Sequence, residues 1–118
     1  MPRDTSEPRI ASNGGPHLFV HAVYFWLNEG LSERDKEMFL RGVNALTTIE
    51  SVQQGHVGIP ADTHRPVVDS SYSYALVVVF RDKAGHDFYQ AHPVHDRFRK
   101  ECAPFWHKVV IYDSVAQP

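Results

Sequence analysis

The stretch "LFVHAVYFWL", Leu18–Leu27, is apolar at nearly every position and dense in aromatic and β-branched residues. That composition suits a β-strand. Side chains alternate along a strand, so Leu18, Val20, Ala22, Tyr24 and Trp26 share one face, and Phe19, His21, Val23, Phe25 and Leu27 share the other. Both faces are apolar, and both therefore need cover. "YALVVVF", Tyr74–Phe80, makes the same demand. The chain's own helices can cover one side of such a sheet. The other side needs a second layer that the remaining sequence scarcely supplies, and another copy of the chain is the simplest source. The expectation is a homodimer formed through the sheet face.

The segments around these two strands fix the element order. "LSERDKEMFLRGVNALTTIE" reads as a helix with Ser32 as its N-cap and Asp35 in the reciprocal position of a capping box. Phe39, Val43, Leu46 and Ile49 then fall on one buried stripe. "VQQGHVGI", Val52–Ile59, is a glycine-interrupted strand, and "PADTHRPVVDSS" a long loop after it. Asp82 caps a second helix through "KAGHDFYQA", which must break near Pro93 and can restart there, because proline suits a first helical turn. Pro104 ends that section, and "HKVVIYDSV", His107–Val115, is the last strand. The order βαββαβ predicts an α+β, ferredoxin-like fold: a four-stranded antiparallel sheet with helices on one face. Residues 1–16, "MPRDTSEPRIASNGGP", read as a tail, and residues 17–118 as one domain.

Composition narrows the function classes. The chain has 12 basic against 14 acidic residues, a formal charge of −2 and no basic run, which gives nucleic acid no electrostatic footing. The single Cys102 cannot form an internal disulfide, so no oxidising compartment is required. No apolar run reaches membrane-spanning length, and the N-terminus lacks a signal peptide's apolar core. A cytoplasmic protein is the expectation.

The element order, with "HAVYFWL", "GLSERDKEMFLRGV" and above all "YQAHPVHDRF…FWHKVVIYD", resembles the stress-responsive A/B barrel (Dabb) family over roughly residues 17–115. The resemblance implies a dimeric α+β barrel in which two four-stranded sheets face each other. It also implies site residues, by similarity to the family's plant olivetolic acid cyclase, which works by aldol condensation. The tyrosine and the second histidine of the HPxH element correspond to Tyr89 and His95, and the first-strand histidine to His21. A further pocket histidine of that cyclase falls at Tyr74, where this sequence departs. Its loop Pro60–Ser71 departs as well, so polyketide specificity does not carry over.

The chemistry of these residues can also be read directly. Histidine is a suitable general base because its unperturbed pKa is about 6.5. Proton abstraction beside a carbonyl also needs a hydrogen-bond donor for the oxyanion that forms. His95 as base and Tyr89 as donor fill those roles if the break at Pro93 turns both inward, with His21 holding substrate or tuning His95. The resemblance adds Tyr74 as a substrate-binding position, and His92 is counted with it. The ligand is then a small hydrophobic or carbonyl compound, and no cofactor is expected. The same residues also suit a structural role, with His92 capping the restarted helix and His95 closing a buried hydrogen bond. A metal reading would use His92 and His95 at i,i+3 with Asp96 and His86 nearby, but Pro93 spoils the regular helical geometry, and no metal site is expected. His95 as a haem ligand has no specific support. Arg65 and Asp69 read as a solvated ion pair, and Cys102 has no neighbour that activates it.

Overall fold

A computed structural model describes residues 17–118. The expected tail, residues 1–16, lies outside the described residues. Four strands, β1 (Phe19–Leu27), β2 (Val52–Gly58), β3 (Tyr74–Phe80) and β4 (Trp106–Val115), alternate with helices α1 (Glu33–Leu46), α2 (Lys83–Gln90) and α3 (Pro93–Cys102). The strands form one antiparallel sheet in the order β2-β3-β1-β4, as the ferredoxin-like reading requires.

The helix caps form where expected, although of the capping box at Ser32 and Asp35 only the Ser32 half is made. Ser32 Oγ accepts the Asp35 backbone N–H at 3.1 Å, and Asp82 caps α2 by accepting the Gly85 N–H at 3.0 Å. Gly30, at φ 79°, makes the turn from β1 into α1 in a conformation that other residues adopt only at a cost. His92 is held extended before Pro93 and caps α3, with Nδ1 accepting the Val94 N–H at 3.1 Å. Helices α2 and α3 are therefore two short rods meeting at a corner.

Phe19, His21, Val23 and Phe25 of β1 are buried, and their register partners Phe80, Val78 and Leu76 on β3 face the same way. Phe39, Val43 and Leu46 of α1 close the core over them with Ile49. Phe25 lies at its centre, with ring centroids 5.1 Å from Phe39, 5.9 Å from Phe98 and 5.0 Å from Trp106. Val20, Ala22, Tyr24 and Trp26 line the opposite face beside Val77 of β3 and Val110 and Tyr112 of β4. The described helices leave this second face uncovered, and Tyr112 is 67% exposed.

Arg65 and Asp69 do not pair. The Asp69 carboxylate instead accepts from the Ser71 N–H at 2.9 Å and the Ser71 hydroxyl at 2.6 Å. A turn closed within two residues costs less chain entropy than one reaching four residues back.

Candidate functional site

Sheet and helices part along the β4 side to leave a cavity of about 220 Å³. Its walls are largely apolar, including Val23, Leu76, Phe98 and Ile111, while His21, Tyr89, Gln90, His95 and Arg99 supply polar groups. Few polar groups in an apolar cleft is the usual make-up of a small-molecule site. Tyr89 sits in the last turn of α2 and His95 in the first turn of α3, so the corner at His92–Pro93 turns both toward the sheet. Their rings meet edge to face at 5.1 Å between centroids. From the sheet, the His21 ring reaches to 5.7 Å from that of Tyr89.

The electrostatics follow from burial. His95 is 9% exposed, and its Nδ1 is buried with no hydrogen-bond partner. Desolvation, reinforced by the Arg99 guanidinium, pushes its pKa down to about 4. Burial raises the Tyr89 phenol well above its ordinary value. His21 is lowered by burial, and its hydrogen bond to Asp113 works against that shift. Its Nδ1 stands 2.5 Å from Asp113 Oδ1, directly across the β1–β4 pair. At neutral pH the cavity thus presents a neutral imidazole and a protonated phenol. Such a set can take a proton at one point and donate a hydrogen bond at another.

Three of the five expected site residues meet at this cavity, and two do not. Tyr74 lies elsewhere on the helix-side face, with its ring 5.5 Å from Phe39, because β3 carries Leu76 and not Tyr74 to the cavity. His92 is spent on structure: Nδ1 caps α3, and Nε2 lies 3.2 Å from Glu50. The buried hydrogen bond considered for His95 does not form at Nδ1. Asp113 was missed in the sequence, since only the strand register reveals that it faces His21. Arg99 was missed too, although its i,i+4 spacing from His95 in a helix places it on the same side. Cys102 is buried, with its thiol pushed up to about 11, which makes it inert as a nucleophile.

Residues 19–116 match the stress responsive A/B barrel domain. Among solved structures, a Dabb family protein with a ferredoxin-like fold from Mesorhizobium loti is similar at 23% identity and a TM-score of 0.69, covering 86% of this chain and 98% of its own. A hydroxynitrile lyase from Passiflora edulis is similar at 19% identity and a TM-score of 0.71, covering 86% and 95%. A dimeric ferredoxin-like protein of unknown function from Thermobifida fusca has 19% identity and a TM-score of 0.68, covering 86% and 92%. At these identities the likeness speaks for the fold alone. No curated protein sequence matches the chain.

Proposed function

The chain belongs to the stress responsive A/B barrel domain family, and from that premise we propose a homodimer whose cavity binds a small, mainly apolar carbonyl compound and performs acid–base chemistry on it. His95 is the base. It takes a proton from the carbon beside the carbonyl, or from a hydroxyl whose loss of a proton breaks the adjacent C–C bond. Tyr89 donates a hydrogen bond to the oxygen on which negative charge develops. His21, fixed by Asp113, orients the bound molecule.

The observation that carries this reading is the His95 imidazole, which lines the cavity beside Tyr89 and has an unpartnered, buried Nδ1. A buried polar atom without a partner is costly, and a ligand that supplies one removes the cost. Protonating His95 inside the cavity is unfavourable by itself, and the charge developing on the substrate offsets this. The volume of about 220 Å³ holds the equivalent of roughly seven waters, so the ligand is small. A protein of the same fold is a hydroxynitrile lyase, so the fold itself is compatible with a lyase type of reaction. The uncovered sheet face, and the dimeric Thermobifida fusca protein of the same fold, support the homodimer. Among the described residues no helix is long and apolar enough to cross a membrane, and with one cysteine the chain suits the cytoplasm.

Deuterium incorporation beside the carbonyl of small β-keto compounds in D2O, followed by NMR, tests the chemistry. Wild type should exchange faster than buffer, with Tyr89→Phe and His95→Gln each slower by about a hundredfold or more and His92→Gln close to wild type. Exchange no faster than buffer in any variant would defeat the acid–base reading. Ligand binding to the cavity without exchange would point to the alternative, a non-catalytic dimer that binds hydrophobic ligands.

A further inference from the structure

We propose that His21, His86 and Asp113 form a site for one divalent transition-metal ion of the zinc class. Their ligand atoms lie within 4.8 Å of one another, and the residues come from β1, α2 and β4. His21 and Asp113 already converge, with Nδ1 and Oδ1 2.5 Å apart. His86 arrives from the helix, its ring centroid 5.2 Å from that of His21. Two imidazoles and one carboxylate suit an ion of zinc's intermediate softness, and leave positions open for water.

The groups behind the ligands strengthen the case. His86 Nδ1 lies 3.1 Å from Asp87 Oδ1, and Lys83 donates to the other Asp87 oxygen at 2.8 Å. An imidazole that donates from Nδ1 carries its lone pair on Nε2, and a carboxylate behind a histidine is the usual support of a metal ligand. Phe19 fixes the plane of the ring, stacking on it at 4.4 Å and 22°. Access is open from one side, because the Asp113 side chain is 40% exposed while His21 is buried. His21 Nδ1 and Asp113 Oδ1 now hydrogen-bond to each other, so an ion held by both atoms would displace that bond, and a neutral His21 would then carry its proton on Nε2.

The site uses neither histidine of the HPxH element, His92 or His95. His92 gives Nδ1 to the cap of α3, so it and His95 do not act as a pair. The ion would stand at the His21 end of the cavity, and the proposal does not depend on catalysis by His95 and Tyr89.

Zinc titration by calorimetry, cobalt(II) absorption and imidazole NMR on the full chain test the site. The expected result is one ion per chain, cobalt bands of four- or five-coordination, and shifts confined to the His21 and His86 ring signals. His86→Ala and Asp113→Asn should each weaken zinc binding by about tenfold or more. Equal zinc affinity in wild type and both variants would overturn the site, as would shifts confined to His92 and His95, or no binding at micromolar zinc. The NMR readout on wild type decides alone if a variant fails to fold.

Discussion

The Tyr89 and His95 rings meet edge to face with centroids 5.1 Å apart, although they belong to different helices. The corner between those helices is built from His92 and Pro93, so a backbone break sets the geometry of the cavity. Tyr89 is 1% exposed and belongs to the core as much as to the site. Tyr89→Phe keeps the ring and should change stability by no more than about 1 kcal/mol. Tyr89→Ala leaves a void and should cost about 3–5 kcal/mol in urea unfolding. Equal losses in the two variants would show that the hydroxyl, and not the ring, holds this corner.

His95 makes stability depend on pH. Its folded-state pKa is lowered to about 4, against about 6.5 when unfolded. Between these values the unfolded chain binds the proton and the folded chain does not, so stability should fall as pH drops from 6.5 toward 4 and level off below. The contribution is about 3 kcal/mol. His21, lowered in the same direction, adds to the effect. Urea midpoints at pH 7 and pH 4.5 should differ more in wild type than in His95→Gln. An unchanged difference would assign the pH dependence to other groups.

Ala22 sits on the uncovered sheet face, between Val77 and Tyr112 in the register. Light scattering should give wild type twice the chain mass. Ala22→Glu puts an unpaired charge into the expected interface and should shift the protein to monomer at micromolar concentration. A wild-type monomer would contradict the need for cover on both faces.

Gly42 marks where α1 passes closest to α3. A Cβ there would stand 2.9 Å from Phe98 Cδ1 and 3.1 Å from Cys102 Sγ. Alanine is the better helix former by about 1 kcal/mol. Phe98, however, packs against Phe25, Phe39 and Trp106 and can yield only by giving up those contacts or entering the cavity that it lines. Overpacking costs about 1–3 kcal/mol, so Gly42→Ala should lower the thermal midpoint despite its higher propensity. A rise would mean that the two helices separate without penalty.

The sequence by itself determined the elements, their order and the two-faced sheet, because these rest on signals close together in the chain. Ser32, Asp82 and Pro93 mark helix boundaries locally, and the alternation in Leu18–Leu27 assigns each side chain to a face. Tyr89 and His95 were legible for the same reason, lying six positions apart across a visible break. Tertiary structure decided which distant residues meet. His21 finds Asp113, ninety-two positions away, only because antiparallel pairing fixes their register, and His86 joins them only because α2 packs over that end of β1. His92 lies near His95 in sequence, but the cap of α3 takes its Nδ1 and it does not line the cavity that His95 lines. Tyr74 shows the converse, a residue on the expected face whose place along the strand puts it against Phe39 and away from the cavity. A strand's alternation gives the face, but the position along that face depends on how the helices lie across it, and their packing is settled by contacts that no local signal encodes.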